Sequence, residues 1–304
     1  MGSEDRNRHV PERIPVVGAG AAGRALSRAL VDAGYAIASV ANRTPEKAVA
    51  LAELLGARKA GRYMEDVTDP CLVIFAVPDD QLEAAARDTS NRIRHPAECL
   101  AIHLSGVRSS ASLGVLAARG AATASCHPML SLRPDSEPSV FRGARFHVEG
   151  DPRAVVACVE IATAIGAVPK VIDEQMKLAI HLAASIASNY LVTLMSVAAD
   201  ILEAEGIDRG EYEDLLRPLV ESTVRNIRFG DPLPALTGPV RRGDIETLRR
   251  HARMLRDKHP HRLPLVEQLI ATTARSAEKA GQITREEADT IVRILREITE
   301  SSRP

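Results

Sequence analysis

Eight residues near the N-terminus constrain this chain more than any others: Val16-Val17-Gly18-Ala19-Gly20-Ala21-Ala22-Gly23. An apolar pair runs into three glycines spaced as GxGxxG, and an amphipathic pattern (Ala25, Leu26, Ala29, Leu30) follows directly. That order predicts a strand, a tight turn and a helix. The first glycine permits the turn, the second lets backbone approach a pyrophosphate, and the third allows close packing of helix on strand. The helix N-terminus then presents unsatisfied N–H groups and the positive end of its dipole. In this context the pattern points to dinucleotide binding; a plain Gly-rich turn is the lesser alternative. The candidate contacts here are Gly18, Gly20, Ala22 and Gly23. Pro15 has no N–H to give a ladder, so it is expected at the very start of the strand.

The chain then divides into two styles. Short apolar runs at Ala36–Ala41, Cys71–Val77, Leu100–Leu104, Ala121–Ser125, Arg145–Val148 and Val168–Ile172 alternate with helical patterns. Alternation of this kind predicts βαβ units and a largely parallel sheet, its strands buried on both faces. After Ile172 the strand signals stop. Met176–Glu205 reads as one long helix closed by Gly206, and Asp208 and Asp244 are placed to cap later helices. Pro218 predicts a kink, and Thr284 with Glu287 forms a capping box. The expected organisation is a loose tail over 1–13, an α/β parallel-sheet domain over 14–173 and an all-α domain over 174–304. No internal repeat appears.

Composition narrows the partners. Lys plus Arg total 39 against 40 Asp plus Glu, Trp is absent and aromatics are 3%. A nucleic-acid binder would show a basic excess or stacking aromatics, so that class is disfavoured. The four cysteines (Cys71, Cys99, Cys126, Cys158) form no CxxC unit. Neither a metal site nor a disulfide framework is expected, and buried thiols in a reducing cytoplasm are. The first thirteen residues lack the apolar core of a signal peptide. Leu182–Leu202 is interrupted by Ser185, Ser188, Asn189 and Asp200. It reads as a buried helix of a soluble protein, with no membrane span.

The strand ends carry the candidate chemistry. After the second strand stands Ala41-Asn42-Arg43-Thr44, with no acid for a ribose 2′-hydroxyl. Arg43 suits a 2′-phosphate, with Asn42 and Thr44 adding hydrogen bonds, so NADP(H) is expected over NAD(H). The plain alternative is a solvated loop with Thr44 as a helix cap. Val77, Pro78 and Ser105 follow later strands and are assigned to the nicotinamide side. His103, inside a strand, reads as a core residue. His127 either contacts ligand or holds its loop through a backbone bond.

In the second half, Lys177, His181, Ser185, Ser188 and Asn189 fall within an arc of about 120° on an otherwise apolar helix. Such a stripe must face something wet or charged, because unpaired burial is costly. It marks a site in preference to an interdomain hydrogen-bond network. Further on, Ala235-Leu236-Thr237-Gly238-Pro239-Val240-Arg241-Arg242-Gly243-Asp244 marks turns. Within it Thr237 and Arg242 are candidate substrate contacts, Arg242 for a carboxylate.

Taken in order, the glycine turn, Val77–Asp80, His103–Gly106, Cys126–Pro128, Ser188–Tyr190 and Ala235–Asp244 resemble the 6-phosphogluconate dehydrogenase-like superfamily. The pattern is most similar to a poorly characterised bacterial Rossmann-like family with a C-terminal domain of unassigned function, over about residues 14–260. The resemblance implies a Rossmann domain followed by an all-helical domain, a homodimer, and reductase chemistry of the ketopantoate or pyrroline-5-carboxylate type. β-Hydroxyacid dehydrogenases and ketopantoate reductases carry a Lys and an Asn one helical turn apart. Here Lys177 is followed one turn later by His181, which leaves carbonyl and imine substrates both open. On the leading reading NADPH reduces the carbonyl of a small carboxylate-bearing oxoacid. Lys177 then stabilises and protonates the oxygen, His181, Ser188 or Asn189 orient it, and Arg242 holds the carboxylate. The alternatives are an imine reductase and a non-catalytic NADP-binding module.

Overall fold

The computed structural model describes residues 10–11, 13–64, 71–228 and 230–300. Most of the expected N-terminal tail lies outside them; of the rest, Val10 is buried in the sheet core. Two compact units are present, 1–189 and 190–304. The division falls at Asn189 and not near residue 173, because the helix from Met176 is tied to the sheet through Lys177.

The first unit holds eight strands, β1 Ile14–Val17, β2 Ile37–Ala41, β3 Lys59–Gly61, β4 Leu72–Phe75, β5 Leu100–His103, β6 Ala122–Pro128, β7 Arg145–Gly150 and β8 Val168–Val171, in the order β3-β2-β1-β4-β5-β6-β7-β8. All neighbouring pairs are parallel except β6 with β7. Helices α1 Ala21–Asp32, α2 Pro45–Leu55, α3 Leu82–Ser90, α4 Gly114–Ala117 and α5 Pro152–Ala164 cover the sheet. Successive side chains of a strand point to opposite faces. Accordingly Val16 and Ile74 join one core with Leu26, Leu51 and Ile161, while Val17 and Phe75 join the other with Leu82 and Leu116.

β1, β4 and β5 are buried at every residue, which is why they read as unbroken apolar runs. β3 was not among the expected strands. It is an edge strand with Lys59 and Ala60 exposed, so no apolar pattern marks it. Pro15 is the second residue of β1, and the register with β2 shifts between Ile14 and Pro15. The irregularity accommodates the missing donor inside a central strand.

α6 Met176–Ala187 ends the first unit. α7 Asn189–Ala204, α8 Arg209–Asn226, α9 Gly238–Arg241, α10 Ile245–Lys258, α11 Leu263–Lys279 and α12 Arg285–Glu300 follow. The expected single helix over Met176–Glu205 is interrupted at Ser188, whose φ of −120° and ψ of −70° depart from helical values. Ser and Asn clustered there offer the backbone local alternatives to helical bonding. α8 continues through Pro218. Val240, Leu248, Ala274, Ala277, Ile291 and Leu295 form the core shared by α9 to α12. The caps stand as the sequence implies. Asp208 accepts from the Gly210 N–H at 2.8 Å and Asp244 from the Thr247 N–H at 3.1 Å. Thr284 and Glu287 bond reciprocally.

The expected burial of the long apolar helix is corrected. Met176–Ala204 has a mean hydropathy of 1.5 over its most apolar window, yet only 6% of that window is buried. Its length and composition alone would suffice to cross a membrane. On α6, Leu178, Leu182 and Ile186 are exposed at four-residue spacing; in the second unit Val192, Leu215 and Leu219 are exposed on α7 and α8.

Candidate functional site

Two groups of residues gather at the carboxyl edge of the parallel strands, where open α/β sheets bind ligands. The first is the glycine turn after β1. Gly18 has φ +113°, and a Cβ there would lie 2.2 Å from the Ala76 carbonyl oxygen. At Gly23 a Cβ would meet the Gly18 carbonyl oxygen at the same distance. Gly20 has open space within 4 Å of its missing Cβ and caps α1 with no side-chain bond. The first and third glycines are therefore demanded by packing, and the second leaves room beside a free helix N-terminus. Asn42 bridges the turn to the end of β2: its Oδ1 accepts from the Ala19 N–H at 3.1 Å and its Nδ2 donates to the Thr44 carbonyl at 3.0 Å. Thr44 stands at the α2 cap position, as in the plain alternative, but its side chain makes no capping bond. Beside the turn, a cavity of about 290 Å³ is lined by Val17, Arg43, Arg62, Tyr63 and Val77, among others. Ala22 packs against the core and Pro78 precedes a short 3₁₀ turn.

The second group centres on Lys177. Its side chain is 3% exposed, and Nζ donates to Ser125 Oγ at 2.5 Å and to the Ser105 carbonyl at 3.2 Å. Glu149 Oε1, also buried, lies 3.8 Å away. The Glu149 carboxylate is in turn held by the Ser110 N–H at 2.9 Å and the Ser110 hydroxyl at 2.8 Å. Burial lowers the Lys177 pKa, against the opposing pull of Glu149. His127 Nδ1 donates to the Leu104 carbonyl at 2.9 Å, which leaves Nε2 without a proton in the neutral ring. Burial, reinforced by the Lys177 charge, pushes the His127 pKa down to about 4. His181, one turn after Lys177, sits beside it with ring centroids 6.2 Å apart. A Cβ on Gly106 would lie 2.6 Å from His181 Nδ1 and 2.8 Å from His127 Nε2, so both nitrogens converge on this glycine. His181 Nδ1 is buried and has no hydrogen-bond partner.

The structure thus brings Lys177, His181, His127 and the Ser105 loop together. Ser188 and Asn189 lie further along the helix, about 16–18 Å from Lys177 and about 10–12 Å from His181 at 1.5 Å per residue. Ser105 Oγ accepts from the Val107 and Arg108 N–H groups, turned into its own loop instead of toward a ligand. His103 is fully buried and satisfied on both nitrogens, by the Ser109 carbonyl and the Ser105 N–H. Thr237 and Arg242 are exposed on the second unit. Ser125, Glu149, Gly106 and Arg62 were not singled out from sequence. Ser125 and Glu149 are opposed on β6 and β7, a pairing that no local pattern announces. Among the described residues no group of three metal-ligating side chains is present, and all four cysteines are free and buried.

Comparison with known proteins agrees with this layout. Residues 13–96 match the family model described as NADP oxidoreductase coenzyme F420-dependent, and residues 144–269 match a domain of unknown function, DUF2520. A Bacteroides fragilis protein described as an NADP oxidoreductase superposes with a TM-score of 0.75 at 24% identity, over 86% of this chain and 98% of that one. A Thermotoga maritima protein aligns over 96% of this chain and all of its own, with a TM-score of 0.59 and 28% identity. A 59-residue segment is 44% identical to the NADP(+) shikimate dehydrogenase of Xanthomonas euvesicatoria, spanning 19% of this chain and 21% of that enzyme. The chain thus carries, in order, a segment similar to an NADP oxidoreductase family and a segment similar to a domain of unknown function.

Proposed function

We propose that the protein is an NADP(H)-dependent oxidoreductase that reduces the carbonyl of a small oxoacid of the ketopantoate kind. The observation that carries this reading is the convergence of His127 Nε2 and His181 Nδ1 at Gly106, on the sheet edge that also bears the glycine turn. Gly20 leaves space for a pyrophosphate, and Arg43 lines the adjoining cavity, so the residues present fit NADP(H). When bound, the cofactor supplies hydride.

The chain's own residues handle the proton. Lys177 is expected from sequence as the acid, but its ammonium is buried and already shared among Ser125, Ser105 and Glu149. We therefore assign Lys177 as a positioning residue and His181 as the group that donates to the substrate oxygen. His127, neutral near pH 7, offers Nε2 as an acceptor for a hydroxyl or N–H of the substrate, and in the reverse direction the deprotonated His181 takes the proton back. Arg242 is the proposed carboxylate contact. The same bare acceptor also suits an iminium N–H, and this favours cyclic imines as the second reading. The exposed apolar stripes on α6, α7 and α8 support a homodimer.

The test is NADPH oxidation across a panel of small 2-oxoacids and cyclic imines. At least one compound should be turned over, and His181→Gln should lower its rate by about 10²–10⁴-fold. NADPH binding without oxidation across the panel would instead mark a non-catalytic module.

A further inference from the structure

The second strand end beside the cofactor cavity belongs to β3, the strand without an apolar signature. β2 and β3 are parallel, with Ala41 paired to Gly61. The ladder runs one step further, the Asn42 N–H donating to the Gly61 carbonyl at 2.9 Å. Two neighbouring strands therefore end level with one another, one releasing Asn42-Arg43 and the other Arg62-Tyr63. Both arginines line the same cavity, whose apolar wall includes Val17, Val77 and Met64. Neither forms an ion pair among the described residues. Asp88 is the one acid among the described cavity-lining residues, so these carry a net positive charge. The Arg62 guanidinium carbon stands 5.7 Å from the centroid of the Tyr63 ring, and Arg92 lies over the same ring at 5.1 Å. Such stacking limits where a long side chain can go.

We propose that Arg62 is a second cation of a 2′-phosphate subsite, so that two guanidiniums from adjacent strand ends select NADP(H) over NAD(H). The proposal rests on the NADP(H) reading above and deepens it. A phosphate monoester carries a charge of about −1.5 to −2 near neutral pH. A single arginine leaves part of that charge unmatched, and guanidinium forks bind phosphate oxygens in pairs. β3 adds little to the core, with Lys59 and Ala60 exposed; placing Arg62 and Tyr63 gives this short edge strand a function.

The test is binding, with no turnover required. NADPH, NADH, 2′,5′-ADP and 5′-AMP are titrated into wild type, Arg43→Ala, Arg62→Ala and Arg62→Lys, with melting curves confirming the fold. Arg62 is exposed, so its substitution leaves the core untouched. Arg62→Ala should weaken NADPH and 2′,5′-ADP by about 10- to 150-fold, the worth of one charge-assisted contact. NADH and 5′-AMP should change by no more than about twofold, and Arg62→Lys should recover part of the loss. If Arg43→Ala weakens NADPH selectively and Arg62→Ala does not, the cofactor reading stands and the Arg62 proposal fails. Equal losses for phosphorylated and unphosphorylated ligands would also overturn it, making Arg62 an adenosine contact. Wild type that binds NADPH and NADH equally would overturn the reading beneath both.

Discussion

At neutral pH the His127 and His103 imidazoles carry no charge, because burial pushes both pKa values down to about 4. The unfolded chain titrates its histidines near 6.5 and so binds more protons between the two values. Stability should therefore fall as pH drops from about 6.5 through about 4, by an order of 1–3 kcal/mol for each ring. Melting temperatures taken across that window check this, and His103→Leu should flatten the slope. Lys177 and Glu149 make a second, distinguishable prediction. Removing one partner of a buried pair leaves the other unmatched, so Lys177→Met should cost about 3–5 kcal/mol. Adding Glu149→Gln should recover part of that cost, which a double-mutant cycle measures. Glu149→Gln alone should lower the Lys177 pKa and shift the alkaline limb of the pH–rate profile downward; a packing role would not move it.

At this scale the sequence exposed only half of the site. Lys177 and His181 stood out because a polar stripe on an apolar helix is anomalous. Ser125 and Glu149 did not, since alternation within a strand gives a buried polar residue no local mark. Ser188 and Asn189 share the stripe's direction but not its position along the axis, a distinction a helical wheel erases.

At the scale of elements, the glycine turn is the most demanding piece of the fold. Gly18→Ala would place a methyl against the Ala76 carbonyl at a φ of +113°. That variant should lose cofactor binding by titration and melt earlier, and unchanged affinity would contradict the geometry. Gly106→Ala is the matched change at the other group. It should displace the His127 and His181 rings, lowering turnover while leaving NADPH affinity intact. Asp244→Ala should cost only about 0.5–2 kcal/mol of stability, as a lost cap, with no change in cofactor affinity. Strands β1, β4 and β5 and the caps at Asp208, Asp244 and Thr284 were legible because burial on both faces and capping chemistry leave strong local patterns. β3 was not, because an exposed three-residue edge strand leaves none. The interruption at Ser188 was likewise hidden, since its neighbours keep an apolar helical pattern on both sides.

For the whole molecule, the reading of the long helix as buried does not hold in the single chain, where only 6% of its most apolar window is buried. Leu178, Leu182 and Ile186 on α6 face outward in the single chain, and apolar stripes of that kind are covered in water by another surface. Sedimentation at micromolar concentration should give twice the 32.7 kDa chain mass, and Leu182→Glu should shift it to the monomer. A wild-type monomer under those conditions would remove the dimer from the account.

The most direct measurement of the central claim follows the hydride itself. NADPH carrying deuterium at its transferable C4 position is incubated with the protein and each oxoacid or imine of the panel, and the products are examined by mass spectrometry. The account predicts a product that gains a single deuterium, formed by wild type and by Arg242→Lys, and lost in His181→Gln while NADPH still binds. Tight NADPH binding with no labelled product from any carbonyl or imine would contradict it.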